Sequence, residues 1–284
     1  MRTRRRGRVG KVPALAARLD LGLFRPKGPI VGKDVSGRVE AVGADVETLR
    51  PGDDVFGWCR GGLAEIMCVS EAALAPKPAA LSFEQAAAVP VSGFTALQGL
   101  RDRGQIRAGH RVLINGAAGG VGTLAVQIAK SFGAVVTAVC GARNGALVRS
   151  IGADHVIDHA REDFAGGDRR YDLILDMIGN RSLADCRRAL ARNGTLVLVG
   201  GRGGPWFMGT DRWIRALLLS PFVSQRLRPL VHTDDRQDLA FLSRLAEAGK
   251  LAPVIDRCYP LAEVAQAIRF LQGRHARGKV VNTL

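Results

Sequence analysis

The sequence lacks the cysteine patterns that accompany disulfides or structural metal sites. Its five cysteines show no C-x-x-C pair and no regular spacing; they are Cys59, Cys68, Cys140, Cys186 and Cys258. This argues against a disulfide framework and a structural zinc cluster, and it favours a reducing compartment. We therefore expect a cytoplasmic protein.

The sequence also has no apolar run long enough to span a bilayer. Its beginning is rich in arginine, but Arg18 and Asp20 interrupt any apolar signal region, and no export cleavage pattern follows. We expect no membrane span. A disordered tail or an unnatural start is favoured for this segment over a transit peptide.

The positive charge is concentrated at the beginning of the chain. The formal net charge is +15, and residues 1–30 hold nine basic residues against one acidic residue, or +8, which leaves +7 for the other 254 residues. Because the rest of the chain is only mildly basic, it does not have the composition of a nucleic-acid-binding face. Nucleic acid is not an expected partner.

Residues 28–71 follow a pattern of short strands and turns. Alternating apolar residues bounded by Gly, Pro and Asp predict strands within 33–43, 50–57 and 61–69, and thus an antiparallel, barrel-like lobe. Ser82 and Gln85 then form a capping box that predicts a helix starting at residue 83.

A glycine-rich stretch, Asn115 to Gly122, lies between an apolar run and a helical pattern. A strand that ends in such a turn and continues as a helix leaves backbone N–H groups available for a pyrophosphate. The stretch fits A-x-G-x-x-G, in which Gly119 allows close approach of the phosphate and Gly122 allows the helix to pack on its strand. The pattern predicts a nucleotide-dependent oxidoreductase built around this turn.

Downstream, strands alternate with helices, which predicts a parallel, doubly wound sheet; the strands are expected at 134–140, 154–157, 171–177 and 195–199. The basic and apolar segment 213–230 predicts a helix pair over the substrate cleft or another subunit, since Pro221 and Pro229 break a continuous helix. A helix lying on a membrane surface is the alternative.

The strand at 134–140 is not followed by the acidic residue that holds the ribose of NAD. Residues 135–148 contain no Asp or Glu, and Arg143 stands in this stretch instead. A guanidinium can pair with a 2′-phosphate, which favours NADP(H) over NAD(H). The alternative is that Arg143 is only a solvated residue at a helix start.

With these features placed, the chain from Pro26 to its end resembles the zinc-independent quinone oxidoreductases of the medium-chain dehydrogenase/reductase superfamily. The likeness is greatest to the branch with zeta-crystallin and the reticulon-interacting reductase. Besides the glycine-rich turn, the motifs are G-x-D-x-S-G at 32–37, P-G-D-x-V-F-G at 51–57, G-A-D-x-V-I-D at 152–158 and G-K-V-V at 278–281.

The resemblance implies an α/β fold, with a Rossmann doubly wound parallel sheet and a partial GroES-like β-barrel lobe. The lobe would span residues 1–92, with a basic tail at 1–20, the NADP-binding domain 93–245, and the return to the lobe 246–284. The cofactor-binding residues implied by the family pattern are Thr95, Ala118, Gly119, Gly120, Val121, Gly141, His159, Asn180, Val199, Gly200, Gly201 and Arg202, to which the missing acid adds Arg143.

The same resemblance bears on the chemistry. Zinc alcohol dehydrogenases have G-H-E where this chain has Gly32, Lys33 and Asp34, and no cysteine stands near Val91, so a catalytic zinc would lack ligands. We expect metal-free hydride transfer to a quinone or an α,β-unsaturated carbonyl. Structural roles are favoured over catalysis for Lys33 and Asp34, and no catalytic residue is assigned.

Two other functions stay open. Members of the family usually begin with about forty further residues, and nothing before Lys27 matches them, so the chain reads as N-terminally shortened, with an incomplete catalytic lobe. The second hypothesis is therefore a catalytically silent NADP-binding protein or fragment. The third is RNA binding, which the zeta-crystallin branch suggests. Family resemblance also suggests a homodimer, although no interface can be identified from the sequence.

Overall fold

The computed structural model describes residues 31–200, 210–273 and 276–284. Within these residues the chain forms one small antiparallel sheet, one six-stranded parallel sheet and one parallel strand pair. The predicted α/β class with a doubly wound parallel sheet is confirmed.

The small antiparallel sheet holds three strands in sequence order: β1 (Asp34–Arg38), β2 (Asp54–Trp58) and β3 (Leu74–Pro76). The third strand comes later than the sequence predicts, because residues 61–69 form no strand. Their backbone bonds the loop before β1 instead, with Gly61 N–H donating to the Gly32 carbonyl at 3.0 Å. Ile66, one of the alternating apolar residues, is 73% exposed and therefore stabilises no core.

The large sheet has the strand order β6-β5-β4-β7-β8-β9, and every pairing in it is parallel. This is the order of a dinucleotide-binding sheet, with its reversal point between β4 and β7. The strands are β4 (Arg111–Asn115), β5 (Val135–Cys140), β6 (His155–Asp158), β7 (Tyr171–Asp176), β8 (Leu190–Leu198) and β9 (Arg226–Pro229).

Helices cover both faces of this sheet. The face that buries Val112 and Ile114 carries α2 (Pro90–Gln98), α3 (Gly120–Ser131), α4 (Gly145–Ser150) and α7 (Arg236–Glu247), while α1 (Phe83–Ala87) packs on β1 and β2 of the small sheet. The opposite face, which buries Leu113, carries α5 (Leu183–Ala189) and α6 (Thr210–Leu219). Successive residues of β4 thus enter opposite cores, as alternation along a strand requires.

The predicted helix pair over residues 213–230 is wrong in its second half. The segment contains α6, a short 3₁₀ turn at Ser220–Phe222 and then the edge strand β9. Leu227 of β9 is 2% exposed and packs in the core, which explains the strand. Pro229 is tolerated there because an edge strand has one side without ladder bonds.

The last part of the chain forms β10 (Ile255–Pro260), α8 (Val264–Gln272) and β11 (Lys279–Thr283). β10 and β11 pair in parallel. Just before β11, the Gly278 N–H donates to the Ala118 carbonyl at 2.8 Å, and Gly278 bridges Gly119. The C-terminal segment therefore reaches the glycine-rich turn. Among the described residues, no helix is long and apolar enough to cross a bilayer.

Candidate cofactor site

The glycine-rich turn follows β4 at the reversal point of the sheet. Gly116 has a φ of +94°, in the left-handed region that glycine adopts without strain. Its N–H and that of Ala117 both donate to the Val139 carbonyl at 3.1 Å, which fixes the turn against β5. A Cβ on Gly122 would lie 2.2 Å from the Gly116 carbonyl oxygen, so only glycine lets α3 pack this closely.

The start of α3 has the chemistry of an anion site. Its N-cap is Gly119, which offers no side chain to the first N–H groups of the helix. A Cβ on Gly119 would meet only the Gly116 carbonyl oxygen, at an ordinary 3.5 Å, so space is open in front of the turn. Unpaired N–H groups and the positive end of the helix dipole favour a phosphate there. A dinucleotide pyrophosphate therefore fits this turn.

The ends of β5 and β6 lie side by side, with Cys140 opposite Asp158 in the register. The residues that follow them are close together: the His159 Nε2 atom lies 3.5 Å from the position of a Cβ on Gly141. Arg143 is exposed on a short 3₁₀ turn at Ala142–Asn144. The structure thus brings Gly141 and His159 together next to the turn that carries Arg143.

At the end of β7, the carboxylate of Asp176 is fully buried and organises its neighbours. Its Oδ1 accepts from Asn115 Nδ2 at 2.8 Å and from the Gly179 N–H at 2.9 Å. Its Oδ2 accepts from Arg212 Nη1 of α6 at 2.6 Å. Asn115 Nδ2 also donates to Asn180 Oδ1 at 2.9 Å, so Asp176 and Asn115 together orient the predicted site residue Asn180. We call Asn115, Asp176, Asn180 and Arg212 the Asp176 network.

The same strand end holds the loop after β8. The N–H groups of Val199 and Gly200 both donate to the Asp176 backbone carbonyl, at 3.0 and 3.3 Å. The structure therefore brings Asn180, Val199 and Gly200 together at one edge of the sheet. The other two residues predicted in this turn, Gly201 and Arg202, lie outside the described residues.

Sequence reasoning missed Asp176 and Arg212. A usable signal for Asp176 was its place directly after the buried run of β7, where a lone carboxylate must find partners. Arg212 had no comparable signal. Its Nη2 also donates to Cys186 Sγ at 3.3 Å. Burial raises the pKa of that thiol to about 12, with a further contribution from the negative charge of Asp176, while Arg212 acts in the opposite direction.

Thr95 lies on α2 and is 7% exposed. Its hydroxyl donates to the Val91 carbonyl at 2.8 Å, and His232 Nδ1 lies 3.3 Å from the same oxygen. His232 follows β9 and was not predicted as a site residue. Its contact with Thr95 spans 137 residues of sequence and is formed only by the fold.

Asp34, for which a structural role is expected, bonds two other segments of the chain through its carboxylate. Its Oδ1 accepts from the Val91 N–H and its Oδ2 from Lys279 Nζ, both at 2.9 Å. Lys279 Nζ also donates to Ser92 Oγ at 3.0 Å. We call Asp34, Ser92 and Lys279 the seam, because they join β1, α2 and β11.

The seam also affects a neighbouring thiol. Burial, and to a lesser extent the charge of Asp34, raises the pKa of Cys59 to about 11, which keeps that thiol protonated at neutral pH. In the described part of the chain, no three His, Cys, Asp or Glu side chains are grouped so that they could hold a metal ion.

Two family profiles match the sequence: the zinc-binding dehydrogenase family over residues 151–281, and the alcohol dehydrogenase GroES-like domain over residues 14–79. The second match begins at residue 14. The likeness to the superfamily thus extends further toward the start than the motifs from Pro26 onward predicted.

Known relatives cover most of the chain. The mitochondrial NAD(P)H oxidoreductase RTN4IP1 of Danio rerio is 33% identical over 279 residues, spanning 89% of this chain and 71% of the relative. The quinone oxidoreductase of Coxiella burnetii has a similar structure, with a TM-score of 0.80 and 31% identity over 95% of this chain and 82% of that chain. The Escherichia coli quinone oxidoreductase, solved with NADPH, has a TM-score of 0.79 and 26% identity over 93% and 85%.

These neighbours confirm the predicted Rossmann sheet with a partial GroES-like lobe. They agree with the strand order, the glycine-rich turn at its reversal point and the antiparallel lobe beside it. The chain is therefore an oxidoreductase and belongs to the quinone oxidoreductase branch of the medium-chain dehydrogenase/reductase superfamily.

Proposed function

We propose that this oxidoreductase uses NADPH and transfers a hydride, without a metal ion, to a quinone or an α,β-unsaturated carbonyl compound. The observation that carries the proposal is the open glycine-rich turn after β4, together with the exposed Arg143 after the neighbouring strand β5. Residues 135–148 around Arg143 contain no Asp or Glu. Quinone reduction is the activity in the names of several relatives, including the Coxiella burnetii protein.

The preference for NADPH rests on the groups beyond β5. Arg143 makes no hydrogen bond or ion pair within the described part of the chain, so its guanidinium is available. Asp158 of β6 is the acidic residue that lies opposite Cys140 at the end of β5. Its carboxylate already accepts from the Ala160 N–H at 3.1 Å and lies 3.8 Å from Arg161 Nε. A 2′-phosphate would meet a cation here, whereas the ribose hydroxyl of NAD would lack its usual acidic partner.

Within this proposal the residues divide by the part of the cofactor that they would hold. Ala118, Gly119, Gly120 and Val121 would bind the pyrophosphate through backbone N–H groups. The adenosine ribose and its phosphate would contact Gly141, Arg143 and His159. The nicotinamide side would be lined by Thr95, Asn180, Val199, Gly200, Gly201 and Arg202. When bound, the reduced nicotinamide supplies the hydride, and the protein orients and shields it.

Hydride transfer without a metal is supported by Lys33 and Asp34, which stand where zinc alcohol dehydrogenases have the metal-binding G-H-E motif. Lys33 is a cation, and Asp34 already has Lys279 and the Val91 N–H as partners. A metal ion would have to displace these partners. Quinones and enones suit such a site because hydrogen-bond donors can stabilise the negative charge that develops on oxygen.

The proposal includes the domain organisation: an NADP-binding domain at 93–245, with the catalytic lobe formed by 1–92 and 246–284. The cytoplasmic location and a homodimer also remain predictions. The zebrafish relative is named as mitochondrial, so the comparison with it leaves the compartment open.

The test is a titration of the purified protein with NADPH and with NADH, followed by turnover assays with 1,4-benzoquinone and a short enone. We expect tighter binding of NADPH and turnover with at least one acceptor. In Arg143→Ala, the Kd for NADPH should rise about tenfold or more while that for NADH stays the same. A hydrogen bond to a charged group contributes about 1.5–3 kcal/mol, and 1.4 kcal/mol is tenfold in affinity.

Arg107→Ala is the matched control, because Arg107 is another exposed arginine and lies just before β4, at the end of that strand opposite the glycine-rich turn. It should leave both dissociation constants unchanged. Equal affinity for NADH and NADPH in the unmodified protein would contradict the cofactor assignment. Tight NADPH binding without turnover of any acceptor would instead favour the catalytically silent alternative.

A further inference from the structure

The loop that follows β9 is held rigidly against α2 by one buried side chain. Gln98, 6% exposed, accepts from the Thr233 N–H at 2.9 Å and donates to the Thr233 carbonyl at 2.7 Å. Its Nε2 also donates to Asp238 at the start of α7, at 2.8 Å. The loop therefore keeps its place on α2 through backbone bonds that do not involve the side chain of His232.

The His232 ring, being free of that anchoring role, lies between a hydroxyl and a carboxylate. Its Nδ1 is 3.3 Å from Thr95 Oγ1, and its Nε2 is 3.6 Å from Asp234 Oδ1. Because the Thr95 hydroxyl already donates its proton to the Val91 carbonyl, it can accept one from Nδ1. An imidazolium here therefore has a hydroxyl acceptor for its Nδ1–H and a carboxylate at ion-pair distance from its Nε2.

We propose that His232, oriented by Asp234, passes a proton through Thr95 to the substrate oxygen. The inference rests on the proposed function, which puts Thr95 on the nicotinamide side of the cofactor, where an acceptor must also bind to receive the hydride. Hydride arrival at a quinone or enone leaves negative charge on its oxygen. The Thr95 O–H then turns from the Val91 carbonyl and gives its proton to that oxygen, and the O–H bond is restored by the Nδ1 proton of His232. The ring ends neutral, with its remaining proton on Nε2 facing Asp234.

The ring is also able to recover its proton. The side chain of His232 is 25% exposed and that of Asp234 is 40% exposed, so solvent reaches the ring. Asp234 is the acidic group that contacts it. The Asp238 carboxylate lies beyond Gln98 and is paired with Arg101 Nη1 at 2.7 Å, so that these two charges largely offset each other. His232 thus acts through Thr95 rather than by contacting the substrate.

The test is the variant His232→Asn, whose amide can still donate to Thr95 but cannot transfer a proton. General acids contribute about 10²–10⁴-fold, and because water reaches this site we expect the lower value, a roughly 100-fold fall in kcat. The Kd for NADPH and the KM should stay within about twofold of their original values, since hydride-transfer geometry is preserved. The pH profile of kcat should differ between the unmodified enzyme and the variant, because only the unmodified enzyme has an imidazole in the relay.

His155→Asn on β6 is the matched control, because His155 is exposed and lies at a different edge of the sheet. It should change neither kcat nor its pH profile. Should His232→Asn melt at a lower temperature, His232→Ala with added imidazole replaces it, and recovery of kcat by imidazole supports the relay. If His232→Asn keeps its kcat and pH profile, or if imidazole fails to restore His232→Ala, the relay is wrong while the oxidoreductase proposal stands.

A second measurement needs no cofactor. In ¹⁵N spectra of the free protein, the Nδ1 resonance of His232 should shift in Thr95→Val but not in Thr95→Ser. An Nδ1 resonance that is the same in all three proteins would overturn the relay. If the unmodified protein binds NADPH yet reduces no acceptor while these spectra are as expected, the proposed function fails, and with it the relay, although the hydrogen bond exists.

Discussion

The two strands at the reversal point of the sheet form their parts of the site in opposite ways. After β4, the glycine-rich turn depends on missing side chains: Gly122 lies so close to the Gly116 carbonyl that a methyl group would not fit. After β7, the Asp176 network depends on side chains, with a buried carboxylate bound to an amide, an arginine and backbone N–H groups. The wall of the site after β4 is thus fixed by close backbone packing, and the wall after β7 is fixed by paired charges.

This difference determines how each wall responds to change. A tightly packed backbone has no alternative conformation nearby, so a small added group forces the helix to move. A buried ion pair contributes little net stability, but the removal of one partner leaves an uncompensated charge. The predictions below follow from this contrast, in order of decreasing effect.

Arg212→Met should give the largest loss. Asp176 is fully buried and Arg212 is only 11% exposed, so the carboxylate would lose its charged partner in a nonpolar environment. Breaking a buried pair costs about 3–5 kcal/mol, and we expect about 3 kcal/mol because Asn115 and the Gly179 N–H remain. Chemical denaturation measures this loss in the free energy of unfolding.

Arg215→Met is the control for this variant, since Arg215 is exposed on the same helix. It should leave the free energy of unfolding nearly unchanged. In a double-mutant cycle, Arg212→Met combined with Asp176→Asn should cost less than the sum of the two single changes. Strict additivity would show that the two side chains are not coupled.

Gly122→Ala should have the next largest effect. Its methyl group would meet the Gly116 oxygen at 2.2 Å and Ala117 backbone atoms at 2.7 Å, none of which can rotate away. Overpacking costs about 1–3 kcal/mol and alanine recovers about 1 kcal/mol of helix propensity; because the 2.2 Å contact is with backbone, we expect the upper end, a net loss of about 2 kcal/mol without cofactor.

Gly119→Ala separates packing from binding in the same turn. Its methyl group meets only an ordinary contact at 3.5 Å, so the melting temperature of the cofactor-free protein should barely change. NADPH affinity should fall, because the methyl group occupies the space in front of the turn. Equal loss of stability in Gly119→Ala and Gly122→Ala would contradict the packing account of the turn.

The glycine-rich turn could be predicted from the sequence because its determinants are local. Gly119 and Gly122 act within a few residues of each other, and the apolar run before them identifies the strand. The capping box at Ser82 was predicted for the same reason, and the structure shows both of its hydrogen bonds. Short-range backbone rules are sufficient for such features.

The Asp176 network and the contact between Thr95 and His232 could not be predicted in this way. Arg212 is 36 residues from Asp176, and no spacing rule connects them; only the packing of α6 on the sheet does. The edge strand β9 was also mistaken for part of a helix pair, since its four residues are too few to show periodicity. Residues 61–69 were in turn mistaken for a strand. Their apolar and polar residues alternate, but no core faces the apolar ones, and the pattern alone does not produce a strand.

A smaller loss of stability than that of Gly122→Ala is expected at the seam, where the charges are partly exposed. The Lys279–Asp34 and Lys130–Asp154 pairs have the same N–O distance of 2.9 Å, but the side chains are 18% and 17% exposed in the first and 34% and 36% in the second. Exposed ion pairs contribute about 0.2–1 kcal/mol, and the contribution rises as solvent is excluded. Lys279→Met should therefore cost about 1–2 kcal/mol, and Lys130→Met no more than about 0.5 kcal/mol.

The pH dependence of Lys130→Met tests the same explanation. Burial alone would raise the pKa of Asp154, but the hydrogen bonds from Lys130 and the Val136 N–H outweigh it and lower the pKa. A carboxylate with a lowered pKa stabilises the fold above its unfolded pKa of about 3.9, and this stability is lost as the pH falls through the folded value. The difference between the unmodified protein and Lys130→Met should therefore be present at neutral pH and shrink on acidification. A difference that persists in acid would mean that Lys130 stabilises the fold through its hydrogen bond to the Ala134 carbonyl rather than through its charge.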